Sequence, residues 1–257
     1  PGIRLNARAW LNIIGGDRSA GHGPLGEGNL FSDNSDGVAI WGSDNAIVGN
    51  LIGTDVTGKG KMGSKGPGVF LDENASRNTI GPNNIIAYNG TIGNWAGGGV
   101  EIRSLHANAN NITANSIHDN SVLAPGIYYN INDAAQDTHS TAPIIFDFDL
   151  ASGTVGGMTC KDCVVEIFST DAKDGKFYEG TATANQNGSF SLDKGQALSG
   201  PLLTATARPP ESNTSEFSIP TSGLRRILAL QKQNDNPRSL LASKPSGDLE
   251  DNRLGGL

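Results

Sequence analysis

The chain has 257 residues, 35 of them glycine, a hydrophobic share of 36% and a formal net charge of −7. That composition suits short strands and tight corners rather than helices, within one or two domains. The repeat region lacks runs of Lys or Arg and no stretch reaches the ~18 apolar residues of a membrane span, which excludes a nucleic-acid surface and a transmembrane helix.

In chain order, the first 135 residues are a repeat. Gly2-Ile3-Arg4-Leu5 is followed by Asn12-Ile13-Ile14 and Asn29-Leu30-Phe31, and the phrase returns as Gly37-Val38-Ala39-Ile40, Asn45-Ala46-Ile47 and Asn50-Leu51-Ile52. It recurs from Gly68-Val69-Phe70-Leu71 and from Gly99-Val100-Glu101-Ile102, and a partial copy opens at Gly126-Ile127-Tyr128-Tyr129. The opening glycines are 35, 31, 31 and 27 residues apart. Such a period marks stacked repeats. Three short period-two alternations per copy describe one coil of a parallel β-helix, which buries its Val and Ile only against the coils above and below. Nineteen asparagines fall in the first 132 residues. Asn tolerates the left-handed conformation at corners, and stacked one per coil it forms an amide ladder. Loops are expected at matching places in successive coils: Gly16 to Gly28, Thr54 to Pro67 and Asn89 to Gly98.

Gly49-Asn50-Leu51-Ile52-Gly53-Thr54-Asp55-Val56-Thr57-Gly58, with Gly68-Val69-Phe70-Leu71 and Asn78-Thr79-Ile80-Gly81, resembles the secreted right-handed parallel β-helix proteins. That broad group includes pectate-lyase-like and carbohydrate-binding β-helix domains. The resemblance spans residues 2–131 and implies a short right-handed β-helix of about five coils, without implying a particular reaction.

Residues 131–142 are polar and read as a link. Beyond it, residues 144–146, 164–168, 178–184, 189–192, 203–207 and 215–219 read as six strands, with turn signals at Asp174-Gly175 and Asn187-Gly188. They predict a small antiparallel sandwich over residues 141–220. Cys160-Lys161-Asp162-Cys163-Val164-Val165-Glu166-Ile167-Phe168-Ser169 and Asn213-Thr214-Ser215-Glu216-Phe217-Ser218 resemble the immunoglobulin-like module that follows such β-helices in secreted bacterial proteins. The resemblance implies a non-catalytic spacer or packing module. Residues 221–257 read as a tail, with two helical turns at Leu224 to Leu230 and the rest disordered or docked on a partner.

Cys160 and Cys163 are the only cysteines. A C-x-x-C pair can be redox-active, hold half a zinc site, or close a turn as a disulfide. Zinc needs two further ligands, and the histidines (22, 106, 118 and 139) lie in or beside the other domain. A redox role needs a helix N-terminus in a βαβ context, which the pattern lacks. The pair therefore reads as a structural disulfide in an oxidising, secreted or cell-surface compartment; no metal and no cofactor is expected.

The candidate site is the outer face of the first strand of each coil. Two residues after each opening glycine stand Arg4, Ala39, Phe70, Glu101 and Tyr128; four after stand Asn6, Trp41, Asp72, Arg103 and Asn130. With coils about 4.8 Å apart, Trp41, Phe70 and Tyr128 are expected to line one face with Asp72, Glu101 and Arg103, and Trp41, Phe70, Tyr128 and Arg4 are the expected glycan-binding residues. The expected function is a non-catalytic extracellular surface or matrix protein that binds a polysaccharide or cell-surface glycan, or polymerises with itself. The alternative is a polysaccharide lyase or glycoside hydrolase in which Asp72 and Glu101 act as the carboxylate pair or Arg103 as the base. Acid clusters of the pectate-lyase or polygalacturonase kind are missing. The chain opens at Pro1 almost directly on a coil, so a removed leader, a longer parent, the tail or a second copy is expected to cover that edge.

Overall fold

Each glycine-led phrase folds into one turn of a parallel β-solenoid in the computed structural model, which describes residues 1–91, 97–121, 123, 126–131 and 140–222. β1 (Ile3–Leu5), β2 (Ile13–Gly15) and β3 (Leu30–Phe31) make the first turn. β4 (Val38–Ile40), β5 (Ala46–Val48) and β6 (Leu51–Ile52) make the second. β7 (Val69–Leu71), β8 (Thr79–Ile80) and β9 (Ile85–Ala87) follow, then β10 (Val100–Ile102), β11 (Asn111–Ile112) and β12 (Ser116–His118). Among the described residues the fifth copy supplies β13 (Ile127–Tyr129) alone, so they hold about four turns rather than the expected five. Three parallel sheets result, ordered β1-β4-β7-β10-β13, β2-β5-β8-β11 and β3-β6-β9-β12.

The stacking register is the one the repeat predicts. Ile3, Val38, Val69, Val100 and Ile127 stand in one column, and the three valines are fully buried. Each such aliphatic contributes about 1.5–3 kcal/mol relative to exposure. The opening glycine is required by close approach. A Cβ on Gly37, Gly68 or Gly99 would lie 2.5–2.6 Å from the Cγ2 of Ile52, Ile86 or Ile117, which fill the core from the third sheet.

The corners combine strain with hydrogen bonding. Leu11, Asp44, Arg77 and Ala109 take φ of 55–58°, and the next residue in each case is Asn12, Asn45, Asn78 or Asn110. The left-handed residue is thus the one before the asparagine, not the asparagine as expected. The asparagine is left to knit the turns together. Asn78 Oδ1 accepts from both the backbone N–H and the side-chain amide of Asn45, each at 3.0 Å, while its own amide donates to Gly42 O at 3.0 Å. This ladder runs 12-45-78-110; a second runs 29-50-84-115, and Asn89 to Asn120 forms a third.

The loops depart from expectation. Residues 16–28 join β2 to β3, whereas residues 53–68 join β6 to β7 at a different corner, as does the connection from β9 to β10. Within the second loop, Asp55 Oδ1 accepts from Thr57 Oγ1 and from the N–H groups of Thr57, Lys59 and Gly60, which lowers its pKa to about 2. The loop is thereby tied to itself.

The second part holds β14 (Ile144–Asp149), β15 (Thr154–Met158), β16 (Val164–Thr170), β17 (Phe177–Thr183), β18 (Ser189–Asp193) and β19 (Leu202–Arg208). They form two antiparallel three-stranded sheets, β14-β15-β18 and β17-β16-β19, over one apolar core that includes Phe148, Val155, Phe190, Ile167 and Leu203. β15 was not expected from the sequence. The expected strand 215–219 instead runs beside β19, where Ser218 Oγ and Ser215 Oγ take the N–H groups of Ala205 and Ala207. Cys160 and Cys163 form a disulfide, Cα atoms 5.5 Å apart, that closes the turn before β16. Most of the polar link (132–139) and the expected helix at Leu224 to Leu230 lie outside the described residues. No helix among the described residues is long and apolar enough to cross a membrane.

Residues 1–222 form one compact unit, and the second part covers the last turn of the solenoid. Asn213 takes the next rung of the first ladder: its Oδ1 accepts from Asn110 N at 2.8 Å and Asn110 Nδ2 at 3.1 Å, and its amide donates to Ala107 O at 2.7 Å. Thr214 N donates to Asn110 O and Thr214 Oγ1 accepts from Ile112 N, as a coil strand would. Glu166 accepts from Thr113 Oγ1 and from Ala114 N at 2.9 Å. Gly175 O accepts from Ile117 N, and Asp174 Oδ1 accepts from Gly126 N at 2.9 Å. Asp174 thus caps the last coil as well as belonging to the expected turn. Phe217 packs on the solenoid core and meets Phe168 edge to face at 5.3 Å. Burial raises the pKa of both Glu166 and Asp174.

Candidate functional site

The five-stranded sheet sets the candidate residues in two rows. Parallel register aligns Arg4, Ala39, Phe70, Glu101 and Tyr128, one per strand. Trp41, Asp72, Arg103 and Asn130 follow one position beyond β4, β7, β10 and β13. The outward row is not a solvated surface at its centre: Ala39, Phe70 and Glu101 are 1%, 7% and 0% exposed.

Two stacked rings flanked by two cations cover it. The Arg4 guanidinium lies 4.2 Å from the Trp41 ring centroid, Trp41 meets Phe70 edge to face at 5.7 Å, and the Arg103 guanidinium lies 4.4 Å from the Phe70 centroid. Such contacts contribute about 0.5–2 kcal/mol each. Arg103 then turns to Glu101, whose Oε1 accepts from Arg103 Nη2 at 3.0 Å, Arg103 Nε at 3.3 Å and Asn130 Nδ2 at 2.8 Å. Glu101 Oε2 is buried and has no hydrogen-bond partner among the described residues.

The expected catalytic trio is placed as follows. Glu101 and Arg103 are bonded to each other. Asp72 Oδ1 accepts from Glu73 N at 2.8 Å, and its backbone carbonyl closes a turn with Ala75 N. No hydrogen bond or ion pair among the described residues joins Asp72 to Glu101 or Arg103. A carboxylate closed off from solvent cannot meet a sugar without rearrangement, and a guanidinium donates rather than accepts protons. Of the four residues expected to bind glycan, Arg4 is exposed, Trp41 and Tyr128 are half-buried, and Phe70 is buried beneath its neighbours. Asn130, which the second row contained without an assigned role, holds Glu101 from one strand on.

Among the described residues no group of three or more His, Cys, Asp or Glu side chains is gathered closely enough to hold a metal ion. Neither the protein-family models nor the curated proteins compared with the chain match it.

Proposed function

We propose that the chain is a non-catalytic extracellular module that binds polysaccharide along the outer face of the five-stranded sheet. In this reading the solenoid is a right-handed β-helix of the secreted bacterial kind and the paired sheets are an immunoglobulin-like module. The observation that carries it is the cation–aromatic stack, which leaves Arg4 and Tyr128 of one row and Trp41 of the other reachable on the same face of the sheet. Half-exposed rings stack on the C–H faces of sugars, and Arg4 and Asn6 offer donors to hydroxyl or carboxylate groups. The disulfide supports an oxidising compartment. The lyase or hydrolase alternative is the weaker reading, because Glu101 is sealed and Asp72 is engaged with its own turn. Polymerisation by end-to-end stacking is also disfavoured, because the second part occupies one end of the coil stack.

Affinity electrophoresis against neutral and anionic polysaccharides tests the proposal, with release of reducing and unsaturated ends followed in parallel. Retention without turnover is expected. Trp41→Ala should weaken retention about tenfold, equivalent to about 1.4 kcal/mol. Turnover lost on Glu101→Gln would reverse the assignment in favour of an enzyme.

A further inference from the structure

The charges on the outer face of the five-stranded sheet cancel. Its two rows set Arg4 and Arg103 against Asp72 and Glu101, and the corner that follows adds Arg8 against Glu73, with His106 counted neutral. Among the described residues no carboxylate pairs with Arg4 or Arg8, and both belong to the first strand or the corner just beyond it.

Arg103 is different. Its Nε and Nη2 both donate to Glu101 Oε1, and its guanidinium lies over the Phe70 ring. Glu101 is fully buried, so water screens that pair less than it screens a surface pair. One buried carboxylate thus neutralises the only cation that the two rows place on the inner strands of the sheet.

The two reachable rings frame this stretch. Trp41 follows β4 and Tyr128 lies on β13, three strand steps or about 14 Å apart along the stack. Between them are β7 and β10, with Asp72 just beyond the first and the Glu101–Arg103 pair on and beyond the second. Asp72 is half-buried, and among the described residues its side chain takes one hydrogen bond, from Glu73 N at 2.8 Å. A polysaccharide stacked on both rings therefore passes a carboxylate and meets no uncompensated cation beside it. Sugar hydroxyl groups can donate to Asp72, whereas an acid group at the same place faces it as a like charge. The net charge of −7 acts in the same direction.

We propose, resting on the glycan reading above, that the ligand is a neutral polysaccharide: the sugars that cross β7 and β10 carry hydroxyl groups and no carboxylate or sulfate. Stacking and hydroxyl hydrogen bonds hold it, and Asp72 with the Glu101-neutralised Arg103 excludes polyanions.

The test is affinity electrophoresis of the full chain on neutral polymers (a β-glucan, a xylan, a galactomannan) and on the carboxymethyl derivative of each. In about 0.01 M salt each derivative should be retained at least about threefold more weakly than its parent polymer. In about 1 M salt screening acts within about 3 Å, and the gap should close. Asp72→Asn keeps the oxygen that takes Glu73 N but removes the charge, so it should narrow the gap at low salt. Glu101→Gln leaves the Arg103 charge uncompensated and should narrow it further; if that buried variant does not fold, Asp72→Asn decides. A derivative retained as tightly as its parent, or more tightly and released by salt, overturns the proposal. So does a gap that survives high salt, or one that Asp72→Asn leaves unchanged. Retention of polyuronates alone also overturns it while sparing the glycan reading. Retention of no polymer at all overturns the glycan reading itself, so the two failures are told apart.

Discussion

The two ends of the solenoid use the same strands and the same corner asparagines, yet they finish differently. At the first turn, Ile3 and Ile14 are only partly covered, although Leu5 and Phe31 are buried, and Asn12 gives its amide to Asn45 in the next turn. At the last turn, Asn213 supplies a rung from about a hundred residues further along the chain, and Thr214, Glu166, Asp174, Gly175 and Glu216 bond further edge groups. A coil has no intrinsic end: whatever covers it must reproduce the hydrogen bonds of another coil. Residues 213–218 do so on one side while running beside β19 on the other.

Mid-stack substitution sets the upper limit of this comparison. Asn78→Ala removes the acceptor for two groups of Asn45 and the donor to Gly42 O, all buried. Stranded polar groups cost about 1–3 kcal/mol each, so a loss of at least about 3 kcal/mol in denaturant unfolding is expected. Asn213→Ala breaks the covered end and should cost about 2 kcal/mol, because water can reach part of the exposed rung. Asn12→Ala at the open end should cost less than either. A cost at Asn12 equal to that at Asn213 would erase the distinction between the ends.

The covered end also carries a pH signature. Burial raises the Glu166 pKa, so the folded state holds that proton more tightly than the unfolded chain. Its contribution to stability is therefore fully present below the ordinary carboxylate pKa of about 4.3 and lost as pH rises through the raised value. Glu166→Gln removes the charge. Its Tm relative to the parent should rise as pH is increased through that window and level off above it. A difference independent of pH would mean that the carboxylate is not desolvated at the junction.

The smallest effect sharpens the open end. Leu11 is exposed and left-handed, with φ 55°, a conformation that costs an L-residue roughly 1–2 kcal/mol. Glycine relieves that strain but loses more chain entropy on folding. Leu11→Gly should thus be neutral to about 1 kcal/mol stabilising. A clear loss would show that Leu11 packs on something at this edge.

The solenoid was legible because its rule is local. A glycine, an alternating pair of aliphatics and a corner asparagine recur often enough to fix the register, and Val38, Val69 and Val100 stand in the column that rule requires. β15 was not legible because Gly156 and Gly157 interrupt its apolar alternation. Ser215 to Ile219 alternates like a strand, but its serine hydroxyls do part of the pairing with β19. The covering of the last turn was hidden because Asn110 and Asn213 are 103 residues apart, and no spacing rule links them. At the candidate site the two rows were readable, since register alone defines them. The burial of Phe70 and Glu101 was not, because it depends on Arg4 and Arg103 folding back over the rings.

Amide hydrogen exchange in Asn213→Ala tests most directly whether the second part acts as another turn of the stack. Protection should fall most at Asn110 and Ile112, less at Asn78, and not at Asn12. Unchanged protection at Asn110 and Ile112 would contradict the account, since the last turn would then hold its own edge without a rung from Asn213.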